Sequence, residues 1–156
     1  MFCNTFKSIR KSIADYYGLI FDEEGNLIEV PDKSPIRDIL WFNNQIANGN
    51  IAVMPAVFIE FGSLSFSVNT KSTISSPLTI RLWIVNNSVS NSDGQIADID
   101  LMRHNEIVEE LVNILLRTKP DGVAKPLFLS TVEYQLDYAG YMVTSIEFTT
   151  TKQLDI

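Results

Sequence analysis

The sequence predicts a single α+β domain in which two α-helices pack on one face of a four-stranded, mainly antiparallel β-sheet, in the chain order α-β-β-α-β-β. Some stretches carry apolar residues at intervals of three and four, the period of a helix, and others alternate apolar with polar residues, the period of a strand. With 156 residues, 46% of them hydrophobic, the chain can bury one core, and a second independent core is not expected.

The first helix is predicted from about Asn4 to Tyr17, ending at Gly18. Its apolar stripe consists of Phe2, Phe6, Ile9, Ile13, Tyr16 and Tyr17. Residues 19–30 then hold two short apolar clusters around the turn residues Asp22 to Asn26. This pattern predicts either a small hairpin or an ordered loop.

Residues 35–45 fit either a helical stripe or a short buried strand at Ile39 to Phe42, and an asparagine-rich loop is predicted to follow at residues 43–50. From Ala56 to Val68 apolar residues alternate with others, and the parity of the alternation changes at Gly62. A shift of the inward face by one residue at a glycine is typical of a β-bulge or a sharp bend. One long bent strand is therefore predicted here.

Residues 69–77 are rich in serine and threonine and predict a hairpin connection to a second strand, Leu78 to Val85, in which Trp83 lies opposite the main apolar face. A mobile polar loop is predicted for Asn86 to Gln95.

The second helix is predicted from about Ile99 to Arg117, with an N-cap at Asp98 or Asp100, and it stops before Pro120. Two further strands are predicted at Leu127 to Asp137 and at Met142 to Thr150, and Gly140 is available for a positive φ in the turn between them.

Composition excludes several function classes. The 19 acidic and 12 basic residues give a net charge of −7, and no basic block is present that would bind a phosphate backbone.

Cys3 is the only cysteine, so no intrachain disulfide can form, and one thiol with one histidine cannot assemble a structural zinc site. The N-terminus lacks the apolar stretch of a signal peptide, and no run is long enough to span a membrane. A soluble, cytosolic setting is expected.

The sequence offers no constellation for catalysis. His104 is the only histidine, and no nucleophile or orienting acid is placed beside it by local spacing, so a structural role is expected. Cys3 is expected to be structural for the same reason. Asp22 to Asn26 lack the alternating acidic ligands of a calcium loop, and no glycine-rich phosphate loop is present. We therefore predict no enzyme activity, no cofactor and no bound metal.

Some apolar residues lie off the predicted inward faces. They are Val53, Phe58, Trp83, Val85 and Val143. A surplus of this kind on the second face of a sheet favours a protein interface.

Three segments resemble the tail terminator (tail completion) proteins of long-tailed bacteriophages and prophages. The strand at Met54 to Phe61, the preceding Ile39 to Gln45 and the later Ile80 to Val85 match the family pattern, which continues with a long helix and a last hairpin. The similarity covers residues 35–150. The chain departs from the pattern in its extra acidic segment, Asp22 to Lys33, and in its Ser/Thr-rich hairpin tip.

The resemblance implies a structural virion protein of the tail or neck, assembled in the host cytoplasm. Such a protein forms a ring, usually hexameric, that caps the tail tube, stops its polymerisation and provides the surface that joins the head. The implied partners are further copies of the chain, the tail tube protein and a head-completion or connector protein, while DNA passes through the lumen without specific binding. The predicted interface or lumen residues are Asn44, Gln45, Phe58, Lys71 and Trp83.

Two alternatives stay open. The first is another virion connector, such as a head-closure or neck protein, or a tail-tube-like protein, which would share the ring geometry. The second is an unrelated small α+β ligand-binding domain, which would present a concave pocket with convergent polar groups.

Overall fold

The computed structural model describes residues 1–87, 95–136, 138 and 140–155. Within them the chain forms three helices, a six-stranded mixed sheet and a two-stranded sheet. The helices are α1 (Cys3–Tyr17), α2 (Gln45–Asn48) and α3 (Asp98–Leu115). The strands are β1 (Ile20–Phe21), β2 (Leu27–Glu29), β3 (Asp38–Trp41), β4 (Ala56–Phe61), β5 (Ser67–Val68), β6 (Thr73–Asn87), β7 (Phe128–Gln135) and β8 (Tyr141–Asp155).

The α+β class is as predicted, but the predicted four-stranded, mainly antiparallel sheet with two helices is wrong. The main sheet has the strand order β3-β4-β6-β8-β7, with β5 paired to one end of β6. β3 and β4 are parallel, and the other pairs are antiparallel. The sequence pattern left β3 undecided between a strand and a helix. It did not predict β5 as a separate strand, and it predicted a loop where the short helix α2 lies.

The predicted first helix is confirmed as α1. Thr5, Ile9, Ile13 and Tyr17 recur every four residues and are all buried, so one stripe of the helix faces the core. The helix ends at Gly18, whose φ of 78° is left-handed and whose amide donates to the carbonyl of Ala14. A β1–β2 hairpin follows, the first of the two alternatives for this segment. In its turn, the Asp22 carboxylate accepts from the amides of Glu24 and Asn26.

The ambiguous segment before β4 forms strand β3, with Asp38 opposite Ala56 and Trp41 opposite Ile59. A parallel pair cannot be joined by a tight hairpin and needs a crossover. Residues 42–55 provide this crossover, and the four-residue helix α2 lies within it.

The predicted single strand from Ala56 to Val68 is wrong. β4 ends at Phe61, and the separate β5 begins at Ser67. The Gly62 amide still donates to the carbonyl of Thr79 at 2.8 Å, but the chain then leaves the sheet. A change of apolar parity at this point therefore marks a break in the strand.

β6 and β8 are each 15 residues long and pair over their whole length, from Thr73–Asp155 to Asn87–Tyr141. The predicted strands covered residues 78–85 of β6 and 142–150 of β8, and they missed the paired ends at residues 73–77 and 151–155. β4 and β7 flank the middle of this ribbon, so its far end projects beyond them together with β5. The predicted Ser/Thr-rich connection is thus largely strand.

The predicted second helix is confirmed as α3. Its N-cap is Ala97, not Asp98 or Asp100, and both acids instead lie in the first turn, where the helix dipole favours negative charge. No helix among the described residues is long and apolar enough to cross a membrane. Gly140 has a φ of 85°, as predicted. A polar loop was predicted from Asn86 to Gln95, but Asn86 and Asn87 belong to β6. Residues 88–94 of that loop, and the strand end predicted at Asp137, lie outside the described residues.

Two apolar clusters lie on opposite faces of the main sheet. The larger is formed by α1, α3 and the sheet residues beneath them, including Val57, Ile80 and Ile146. The smaller lies on the second face, where residues 42–54 of the crossover cover Phe58 and Trp83. The domain therefore has helices on one face and an irregular crossover on part of the other.

Candidate assembly surface

Strand β7 forms one edge of the main sheet, because it pairs with β8 and, among the described residues, with no strand on its other side. Every residue of β7 except Gln135 is exposed. Leu129, Val132 and Tyr134 pair with Phe148, Ile146 and Thr144, and directly paired residues share a face of a sheet. Because Phe148 and Ile146 belong to the cluster under the helices, the three β7 side chains lie on the helix side.

This edge carries only one of the devices that usually prevent sheets from adding further strands. Natural edge strands are short, contain β-bulges, or carry lysine, proline or inward-pointing charges. β7 has eight residues, and Glu133 is its only charged residue. A β-bulge between Leu129 and Thr131 is the one irregularity. The outer backbone of β7 is therefore open to pairing with another chain.

The part of the chain that the structure describes also leaves the helix side of β7 uncovered. A hollow of about 460 Å³ lies between α3 and β7, lined by the apolar Val108, Val112 and Val132 and by the polar Asn105, Glu109 and Asn113. A second hollow continues along α3 past Met102, which is 51% exposed. We call Leu129, Val132 and Tyr134 together with Met102, Val108 and Val112 the edge surface. It is an apolar strip with a partly acidic rim.

His104 lies beneath this surface and is fully buried. Its Nε2 is 2.8 Å from Oγ1 of Thr144, and its ring meets that of Tyr134 edge to face at 6.3 Å between centroids. Its Nδ1 has no hydrogen-bond partner in the described part of the chain. Burial lowers the pKa of the imidazole. With a threonine and a tyrosine as neighbours, His104 supports the packing of α3 on β8 and β7.

We expect this histidine to make stability fall in mild acid. Because its pKa in the folded state lies below the ordinary 6.5, the unfolded chain binds the proton more readily. Stability is fully present above the ordinary value and is lost as pH falls from there through the lower folded-state pKa. Urea unfolding between about pH 7.5 and about pH 5.5 should show a steeper loss for the natural protein than for His104→Gln. Equal losses would contradict this assignment.

The second face of the sheet carries an acidic ladder around Arg81. Nη2 of Arg81 is 2.8 Å from Oε2 of Glu147, and Nη1 is 3.8 Å from Oε1 of Glu60. The indole Nε1 of Trp83 also donates to Glu60 at 3.3 Å. The hydrogen bond to Glu147 is the main reason that the pKa of Arg81 is raised, and Glu133 also contributes. Two carboxylates contact this guanidinium and a third, that of Glu133, lies close enough to affect its pKa, so acidic groups outnumber Arg81 three to one here.

Replacing Arg81 by methionine should destabilise the fold by about 1 kcal/mol, because the neighbouring carboxylates then repel one another across partly buried positions. The control is Lys11→Met, which breaks the exposed Lys11–Asp15 pair one helical turn apart. Such pairs contribute little, and no resolved change is expected there. Chemical denaturation measures the free energy of unfolding of both variants. Equal losses of stability would show that Arg81 is no more important to the fold than an exposed surface lysine.

The structure separates the predicted interface or lumen residues into two groups. Phe58 and Trp83 pair directly and are buried, at 0% and 6% exposure, with Phe42 stacked on the indole ring. Asn44 and Gln45 lie nearby at the start of α2, where Gln45 accepts from the amide of Asn43 and donates to the carbonyl of Trp41.

Lys71, by contrast, is exposed at the turn between β5 and β6, at the far end of the long ribbon. The structure thus groups four of the five predicted residues on the crossover side of the sheet, and an interface or lumen role for all five stays a prediction. The edge surface was not among these predicted residues.

A cleft of about 580 Å³ lies where β6 ends, between residues 33–35 and α3. Lys33 and Arg103 face it together with Asp100, Glu106 and Glu110. Its walls thus carry both signs of charge. Within the described residues, no group of three or more histidine, cysteine or acidic side chains could hold a metal ion.

No protein-family model matches the sequence, and no curated protein matches it at a significant level.

Proposed function

We propose that the chain is a structural virion protein of the tail-terminator kind, which assembles as a hexameric ring, caps the tail tube, stops its polymerisation and provides the surface that joins the head. The observation that carries the proposal is the edge surface, an uncovered strand of eight residues beside an apolar hollow. Monomeric domains rarely leave such an edge unprotected. A chain that must bind further chains during assembly needs an exposed surface of this kind.

Ring closure requires that one surface of a subunit meet a different surface of its neighbour. The edge surface lies on one flank of the domain, and α1 with the β1–β2 hairpin lies towards the β3 flank, so the two flanks differ in shape and chemistry. This asymmetry supports a closed ring. The loop at residues 44–50 and the turn around Lys71 are the elements that we assign to the lumen and the tube.

The acidic ladder supports the passage of DNA through such a ring. Glu60, Glu133 and Glu147 outnumber Arg81 on the open part of the second face, and the whole chain has a net charge of −7. A negative wall repels phosphates and suppresses contacts that would arrest a sliding duplex. DNA is therefore a passing cargo in this proposal.

Electron microscopy of tail tubes, polymerised from the tube protein of the same virus with and without this chain, tests the proposal. Capping predicts shorter tubes with density at one end. Unchanged tube lengths without end density would refute it. Tubes that lengthen or incorporate the chain along their walls would instead favour the tail-tube-like alternative, and binding to isolated heads alone would favour a head-closure or neck protein.

The cleft beside α3 favours the second alternative, a ligand-binding domain. Arg103→Glu would reverse one charge of this cleft while leaving the edge surface intact. If the chain is a ring protein, this variant should cap tubes as well as the natural protein does. If Arg103→Glu instead lost capping while edge-surface variants retained it, the cleft and not the edge surface would be the functional site.

A further inference from the structure

We propose that Asn48 is a site of spontaneous deamidation, at which the folded protein converts an asparagine to aspartate and isoaspartate without the help of an enzyme. Asparagine is among the thermolabile residues of proteins. Asn48 is the only asparagine in the chain that precedes a glycine, and it lies on the crossover between β3 and β4. The proposal concerns the chemistry of this segment and does not depend on the proposed function.

The reaction needs only the chain and water. The backbone nitrogen of Gly49 attacks Cγ of Asn48, so a new N–C bond forms while the Cγ–Nδ2 bond breaks. Nδ2 leaves as ammonia with the proton of the attacking amide, and a cyclic succinimide remains. Water then opens the ring at either of its carbonyl carbons. Opening at one carbon gives aspartate, and opening at the other gives isoaspartate, in which the main chain runs through the side-chain carbons.

The two reacting groups are accessible. Asn48 and Gly49 are both exposed, and the side chain of Asn48 has no hydrogen-bond partner among the described residues. Gly49 has no side chain that would block the approach of its nitrogen to Cγ. A Cβ added to Gly49 would meet no heavy atom within 4 Å beyond its neighbours in the chain. The space around the reacting atoms is therefore open.

The helix that holds residue 48 is short enough to open locally. α2 is a single turn of four residues, with no side-chain hydrogen bond at its N-cap. A helix of this length is marginal by itself, because nucleation fixes several residues for one hydrogen bond. The Gly49 amide donates to the carbonyl of Ile46 at 3.3 Å, which is a long hydrogen bond. Opening of this turn frees the nitrogen of Gly49 while the rest of the domain stays folded.

Asp121 and Gly122 form a pair that could cyclise in the same way, with loss of water in place of ammonia, but their backbone is held. The Thr5 hydroxyl donates to the carbonyl of Asp121 at 2.7 Å, and the Asp121 amide donates to Oγ of Ser8 at 3.1 Å. Nζ of Lys152 donates to the carbonyl of Gly122 at 2.7 Å. Because these contacts oppose the rotation that cyclisation needs, we expect isomerisation of Asp121 chiefly in the unfolded chain.

Deamidation changes the crossover in two ways. Either product adds one negative charge to a chain whose net charge is −7. Isoaspartate also inserts a methylene into the main chain, which disturbs the hydrogen bonds that the amides of Gly49 and Asn50 donate to close the turn. Because Ile46 of the same turn packs with Phe58 in the smaller cluster, the isoaspartate form should be less stable than the natural protein.

The experiment is peptide mapping by mass spectrometry of the full chain after incubation in warm, mildly alkaline buffer, with and without guanidinium chloride. Enzymatic methylation of the free α-carboxyl group locates isoaspartate independently. In the folded protein, the peptide that contains Asn48 should gain the mass of an amide-to-acid conversion several-fold faster than peptides that contain the other described asparagines. Asp121 should form isoaspartate several-fold more slowly in the folded protein than in the denaturant.

Conversion of Asn48 only in the denaturant would overturn the proposal, and so would faster conversion at another described asparagine of the folded protein. Equal isomerisation of Asp121 in both states would refute the protection that we assign to its backbone contacts.

Two variants separate this reaction from other ageing. Asn48→Ser removes the reacting amide, and freshly purified Asn48→Asp carries the charge without the inserted methylene. After incubation the natural protein should unfold at a lower denaturant concentration, whereas incubated Asn48→Ser and fresh Asn48→Asp should match the fresh natural protein. An equal loss in Asn48→Ser would place the damage at another residue, and an equal loss in Asn48→Asp would refute the role of the methylene.

Discussion

Replacing Phe58 by alanine should destabilise the protein by about 3–5 kcal/mol. Phe58 is fully buried in the smaller cluster, with Ile46, Trp83, Val85 and Val143 around it. Removing its ring leaves a cavity between the sheet and the crossover, whose Ile46 packs in the same cluster. Chemical denaturation measures the change.

Phe128→Ala is the matched control, since the same atoms are removed from a side chain that is 53% exposed on the edge strand. A surface change of this kind should shift stability by no more than about 0.5 kcal/mol. If Phe58→Ala were equally mild, the second face of the sheet would not be a core. Phe58 would then be available as the interface residue that the sequence predicts.

Replacing Val132 by lysine should abolish tube capping while leaving the fold intact. Val132 is 49% exposed, so the monomer tolerates the charge, but a partner covering the edge surface would have to bury it without a counter-ion. The charge would lie within the apolar strip, where its partner in the register with β8 is the apolar Ile146. Tube lengths by electron microscopy should equal those without the protein.

Thr131→Lys provides the control on the same strand. Thr131 lies on the opposite face, opposite Glu147, where a positive charge is compatible with its neighbours. This variant should still shorten the tubes. Loss of capping by Thr131→Lys but not by Val132→Lys would place the functional surface on the second face instead.

The helices were predictable because each carries a long apolar stripe with its own end signal, Gly18 for α1 and the break before Pro120 for α3. The topology of the first strands was not. Ile39 to Phe42 satisfy both the helical and the strand period, and nothing local shows that Asp38–Trp41 pairs in parallel with β4 across a crossover. Parallel pairing depends on contacts that are remote in sequence, and short apolar runs do not encode it.

The edge surface was missed for a related reason. Val132 and Tyr134 alternate with polar residues just as residues of a central strand do, so the sequence places them facing inward. Whether such a face is buried depends on how many helices pack on the sheet, and in the described part of the chain α1 and α3 leave β7 exposed. Conversely, Phe58 and Trp83 were expected to lie outside the core, on an exposed face of the sheet. The crossover that covers them has little periodicity, so the sequence pattern did not reveal this second core.

Hydrogen exchange of the β7 amides tests the central claim most directly, by comparing dilute free protein with protein bound at tube ends. If the edge surface is an assembly surface, the outward amides of residues 128–135 should exchange quickly when free and become strongly protected on assembly. Protection elsewhere on the domain, with β7 exchanging as quickly at the tube end as in solution, would contradict the account.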